Sequence, residues 1–183
     1  MKRCTLREQE LCVNDVIFEK LMIVYTIALT KVNNIIEELS EKMKNENSYN
    51  IVTEISSRIK KPDSIIEKMI KKGYDLTYQS LVENINDIAG IRLVCMSEQD
   101  VYRIVEKIEK IKEIKILNRK DYIKIPKESG YSAYHIIVEV PIYLDNKKNW
   151  IKVEIQVRTY EMDSWANLEH EVNYKGIAKA VDY

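Results

Sequence analysis

The 183-residue sequence has few of the residues that punctuate or crosslink a chain: four glycines, three prolines and three cysteines. That scarcity argues against collagen-like, low-complexity and linker-rich architectures. Cys4, Cys12 and Cys95 are odd in number and lack paired metal spacing. With no secretory leader pattern either, they point away from a disulfide framework and towards reduced thiols in the cytoplasm. Charge of one sign is also lacking, since 29 Lys and Arg balance 29 Asp and Glu. No global field draws the molecule to nucleic acid or to a membrane surface, so any nucleotide site must be a local basic patch. The longest apolar run, residues 21–29, falls far short of the roughly 20 residues a membrane span needs.

What is present is ordinary globular material, 45% hydrophobic and 32% charged, enough for one domain with a sizeable core. Residues 5–44 carry a helical pattern. Thr5 and Glu8 match a capping box, and Ile17, Leu21, Val24 and Ala28 share one face. Apolar residues spread beyond that stripe, so residues 1–50 are expected to pack on the domain, with added cover by a partner subunit as the alternative. The polar stretch at 44–50 then leads into the main unit, 51–183. Strands are expected near 51–60, 87–96, 114–123, 134–142 and 150–158, and helices near 64–72, 98–112 and 160–175. The fold class is therefore α+β, a mixed five-stranded sheet flanked by helices. The first strand is ambiguous, because Ile51, Ile55 and Ile59 also recur at helical spacing.

Four segments carry candidate chemistry. In "SRIKKPDSIIEKMIKKG", 57–73, Arg58 and Lys60 share a face of an extended stretch. Pro62 then turns the chain into a helix that Ser64 can cap, with Lys68 and Lys71 one and two turns on. A helix N-terminus flanked by lysines suits phosphate, although a capped surface helix would look the same. In "NDIAGIRLVC", 86–95, Asp87 stands at the mouth of a buried strand and Arg92 within it. Asp87 could hold Mg2+, or the two could form an ion pair. "DYIKIPKESGYSAYH", 121–135, is a basic, aromatic loop with Lys127, Tyr131 and His135, in which Gly130 allows close backbone approach. In "KVEIQVRT", 152–159, strand alternation puts Val153, Ile155 and Val157 on one face. Glu154, Gln156 and Arg158 face the other way, towards water or a substrate.

Together these motifs, followed by "MDSWANLEHEVNYKG" at 162–176, resemble the synthetase domain of the RelA/SpoT family, in family order. The resemblance implies a stand-alone small alarmone synthetase with a nucleotidyltransferase-like fold. Its activity would be transfer of pyrophosphate from ATP to the 3'-hydroxyl of GDP or GTP, giving (p)ppGpp and AMP. It implies that Arg58 and Arg92 sandwich the adenine and that Lys60, Ser64, Lys68 and Lys71 hold the ATP phosphates. Tyr131 would stack on guanine, and Asp87 and Glu154 would bind Mg2+, with Glu154 close to the attacking hydroxyl. Lys127, His135, Gln156 and Arg158 would line the acceptor and the transferred group. A homo-oligomer, up to a tetramer, is expected, and RNA binding is left open. Ala133 stands where the family usually has serine. Toxin relatives that modify the tRNA 3' end or an adenine nucleotide give the alternative acceptors, and a nucleotide-binding module without turnover is the non-catalytic alternative.

Overall fold

In the computed structural model, residue 11 and residues 16–144 and 146–179 are described. The chain runs α1 (Val16–Glu46), β1 (Val52–Ile59), α2 (Pro62–Lys72), α3 (Tyr78–Asn84), β2 (Ala89–Cys95), α4 (Glu98–Glu109), β3 (Lys115–Asp121), β4 (Tyr134–Leu144), β5 (Lys147–Thr159) and α5 (Tyr160–Lys179). The five strands form one sheet in the order β1-β2-β5-β4-β3. β2 and β5 pair in parallel, and every other neighbouring pair is antiparallel. The sheet is thus mixed, as expected. The ambiguous segment at 51–60 is a strand, because its backbone pairs along β2 from Val52 to Ile59.

One face of the sheet is apolar. Ile91 and Leu93 of β2, Ile136 and Val138 of β4 and Val153, Ile155 and Val157 of β5 are buried. They share a core with Phe18, Tyr25, Ala28, Val32 and Ile36 of α1 and with Val101, Ile104 and Ile108 of α4. Burying each such side chain contributes roughly 1.5–3 kcal/mol. The buried stripe of α1 is rotated from the expected one. Phe18 and Tyr25 take the core positions, while Ile17, Leu21 and Val24 pack at its margin, because the larger rings fill more of the space above the sheet. Ile23 and Ile27 stay exposed on the far side. The Thr5–Glu8 capping box lies outside the described residues.

Local differences from expectation have local causes. α2 begins at Pro62, with Lys61 at the N-cap and no side-chain cap bond. Ser64 therefore does not cap the helix but sits in its first turn, since proline's fixed φ suits the first helical position. α2 ends where Gly73 adopts φ 68, a left-handed stop that glycine takes without strain. α3 is a short helix not anticipated from the sequence, nucleated by Thr77, whose side chain accepts from the Ser80 N–H. β5 begins at Lys147, because Asn146 takes a positive φ of 60 and closes a tight hairpin with β4. α1 runs on to Glu46, shortening the linker, which is fastened to α4. Tyr49 Oη donates to Asp100 Oδ1 at 2.8 Å, and Arg103 Nη2 donates to Asn47 Oδ1 at 2.7 Å. Burial, with the nearby Asp100 charge adding to it, pushes the Cys95 thiol up to about 12, so this cysteine is inert core.

Candidate active site

The opposite face of the sheet is polar at its centre. Strand alternation and register place Glu154, Gln156 and Arg158 of β5 beside His135 of β4, which pairs with Gln156, and beside Arg92 of β2, which pairs with Gln156 from the other side. They line a cleft of about 830 Å³, within the roughly 300–1,000 Å³ typical of ligand sites. A smaller recess of about 230 Å³, against β1 and β2, shares Arg58, Asp87, Arg92, Glu154 and Gln156 with it.

On the β4–β5 side, five side chains close into a ring. Tyr131 Oη lies 2.7 Å from His135 Nε2, and His135 Nδ1 lies 3.1 Å from Glu154 Oε1. Gln156 Nε2 donates to Glu154 Oε2 at 2.7 Å, and Gln156 Oε1 accepts from Arg158. Arg158 Nη2 also donates to Tyr131 Oη at 3.3 Å. The polarity of the ring is set at its two ends, since a guanidinium only donates and a carboxylate only accepts. Both arms run from Arg158 to Glu154, so Nδ1 of His135 donates, and in a neutral imidazole Nε2 takes the Tyr131 proton. Burial works against ionisation of Glu154, but His135 and Gln156 outweigh it and hold the carboxyl below its usual range.

On the β1–α2–β2 side, charge pairs replace the ring. Asp87, just ahead of β2, sits 3.2 Å from Lys60 Nζ and 2.8 Å from Lys68 Nζ. Burial pushes its carboxyl up, yet the two lysines prevail and the net shift is downwards. Arg58 and Arg92 line both recesses. Arg92 pairs not with Asp87 but with Asp163 of α5, at 3.2 Å.

The structure therefore brings Arg58, Lys68, Asp87, Arg92, Lys127, Tyr131, His135, Glu154, Gln156 and Arg158 to one cleft, with Lys60 attached through Asp87. Ser64 and Lys71 are not among its lining residues, whereas Lys72 is. One residue of α2 further on, the helix has turned by about 100°. Gly130 adopts φ 83, and a Cβ there would lie 3.1 Å from the Trp165 ring, so what approaches this glycine is the α5 indole. Ala133 is fully buried, and its carbonyl accepts the Tyr122 N–H at 2.9 Å. The Lys127 ammonium lies 4.3 Å from the Tyr131 ring centroid. Asn118, Lys120 and Tyr122 join the lining, and Asp163 is held by two arginines of it. None of these four stands out in the sequence, because the register that sets Lys120 opposite His135 exists only in the folded sheet.

Among the described residues no group of three or more His, Cys, Asp or Glu could hold a metal. The pair Asp87 and Glu154, both held ionised, nevertheless fits Mg2+, which takes one or two protein carboxylates and keeps water or phosphate oxygens for the rest. No helix among the described residues is long and apolar enough to cross a membrane.

One carboxylate just ahead of β2 and one on the neighbouring β5, with lysines and arginines around them, have the chemistry expected of an enzyme that handles nucleotide polyphosphates. Residues 57–179 match the model of the region found in RelA / SpoT proteins. The chain is 36% identical over 154 residues to the GTP pyrophosphokinase YwaC of Bacillus subtilis, covering 84% of this chain and 73% of that protein. It is 34% identical to the GTP pyrophosphokinase YjbM of the same organism, over 76% of this chain and 68% of that one. Among solved structures, small alarmone synthetase 1 of Bacillus subtilis bound to its product pppGpp superposes with a TM-score of 0.81 at 29% identity, covering 88% of this chain and 81% of that one. The chain belongs to the RelA/SpoT family.

Proposed function

We propose that this protein transfers the pyrophosphoryl group of ATP to the 3'-hydroxyl of GDP or GTP, producing (p)ppGpp and AMP. The observation that carries this is the placement of Glu154 and Asp87 in one cleft, with a donor wall of cations on one side and an aromatic, hydrogen-bonded wall on the other. In the reaction the acceptor 3'-oxygen forms a bond to the β-phosphorus of ATP, the bond from that phosphorus to the α–β bridging oxygen breaks, and AMP leaves with that oxygen. Glu154, already ionised, receives the hydroxyl proton. Chemistry of this kind depends on in-line positioning and neutralisation of phosphate charge.

Lys60 and Lys68, now spent on Asp87, are on flexible stems and can turn to polyphosphate oxygens, and the uncapped first turn of α2 offers free N–H groups beside them. Arg58 and Arg92 present planar cations suited to the two faces of adenine. Tyr131 supplies a stacking face for guanine, with Lys127 against its ring. Asp87 and Glu154 would hold Mg2+, which neutralises phosphate charge when bound. These are nucleotides of the cytoplasm, where the enzyme is expected to act. Exposed Val16, Ile23 and Ile27 on α1 favour self-association, which light scattering on the eluting protein tests.

The test of activity is incubation of the pure protein with β-labelled ATP, Mg2+ and, separately, GDP, GTP, ATP or tRNA, followed by thin-layer separation. A labelled guanosine product with stoichiometric AMP is expected. Label on tRNA or an adenine nucleotide would replace the acceptor, and no transfer to any acceptor would overturn the proposal.

A further inference from the structure

Asp163 belongs to α5, whereas Asp87 stands just ahead of β2 and Glu154 on β5. Its Oδ1 lies 3.2 Å from Nη1 of Arg92 and 3.3 Å from Nη1 of Arg158, and Oδ2 accepts from Asn167 Nδ2 at 3.0 Å. One oxygen thus holds two guanidiniums from neighbouring parallel strands. The register aligns Arg92 with Gln156 and Val94 with Arg158, so the two arginines are diagonal neighbours on the same face, where like charges repel. Burial, and the Arg92 charge, pull the Arg158 guanidinium down, and Asp163 opposes that.

The two arginines differ in freedom. The Arg158 side chain is 4% exposed, whereas that of Arg92 is 29% exposed. Arg158 is further held by its bonds to Gln156 and Tyr131. If Asp163 lost its charge, Arg92 would be the one to swing away, because it has room and Arg158 has none.

We propose that Asp163 is a positioning residue: it fixes the Arg92 guanidinium in the ATP recess and ties that recess to Arg158 at the root of the acceptor wall. The inference rests on the proposed function for the identity of the ligand, and on the geometry alone for the role of the carboxylate. Asp163 touches no substrate itself. It converts two mutually repelling cations into a preorganised pair, which lowers the ordering cost on binding.

The test compares wild type with Asp163→Asn, Asp163→Ala and Asp163→Glu. Binding of a non-hydrolysable ATP analogue is followed by calorimetry, with steady-state kinetics and thermal unfolding alongside. Asp163→Ala is expected to weaken analogue binding and raise KM for ATP about tenfold, the range of a lost charge-assisted contact, with a smaller fall in kcat. Asp163→Asn should fall in between, and Asp163→Glu should recover part of the loss. The inference fails if analogue affinity and KM for ATP stay within about twofold of wild type in the Asn variant, or if the Glu variant recovers nothing while folding normally. If wild type itself transfers nothing, the proposed function falls, while the analogue-binding comparison still decides the role of Asp163.

Discussion

The two walls of the cleft are built on different physical terms. On the β4–β5 wall, Tyr131, His135, Glu154, Gln156 and Arg158 hold one another in a closed ring of hydrogen bonds. On the β1–α2–β2 wall, Lys60 and Lys68 converge on Asp87 through two ion pairs, and long flexible stems carry the cations. A ring with a donor-only residue at one end and an acceptor-only residue at the other has one orientation. A pair of lysines on a carboxylate has many of similar energy. The fixed wall suits a group whose proton must go to a defined atom. The adaptable wall suits a polyphosphate chain, whose oxygens are numerous and nearly equivalent.

The largest expected effect comes from the fixed wall. Glu154→Gln keeps the size of the side chain but removes the proposed proton acceptor, and should lower the rate of labelled product formation by roughly 10²–10⁴ with little change in melting temperature. Lys68→Ala, on the adaptable wall, should cost roughly 10–100-fold in kcat/KM for ATP, while Lys60 partly substitutes at Asp87. An effect as large as that of Glu154→Gln would erase the contrast between the walls. Tyr131→Phe keeps the stacking ring and removes the hydroxyl shared by His135 and Arg158. Loss of about 1 kcal/mol predicts a fall of about fivefold, and Tyr131→Ala should cost considerably more in KM for the guanine nucleotide.

The smallest effect is on stability against pH. The Asp87 carboxyl is held below its ordinary range by Lys68 and Lys60 despite burial, so its contribution is complete above the unfolded carboxylate range and is lost as pH falls through the lower folded value. Asp87→Asn should therefore melt below wild type at neutral pH, with the gap closing as pH drops below about 4. A gap independent of pH would show that the ion pairs add nothing.

Much of this was legible in the sequence where a period was long enough to read. Alternation in 153–159 identified both the buried and the site-facing residues of β5, and five ordered motifs identified the family. β1 remained ambiguous because isoleucines at 51, 55 and 59 fit either period, and only pairing with β2 decides. α3, seven residues long, is too short to show a helical period. Ser64 has the residue type of a cap, yet Pro62 starts the helix two residues earlier. Asp163 carries no signal in the sequence, because its significance depends on Arg92 and Arg158 meeting across a parallel pair, which no local spacing encodes. Gly130 in its loop suggests room for a ligand, whereas its neighbour is Trp165 from a later helix.

The single parallel pairing in the sheet also sets an order of events. β5 lies between β2 and β4, yet it is the last strand of the five to leave the ribosome, and it carries Glu154. Without β5 the remaining strands can pair only as two separate antiparallel couples, β1–β2 and β3–β4, each with an unpaired edge. Asp87 and its lysines exist before that moment, but they face no second carboxylate. In the proposed reaction the two carboxylates meet only when the sheet closes, so a chain interrupted before β5 would lack one of them.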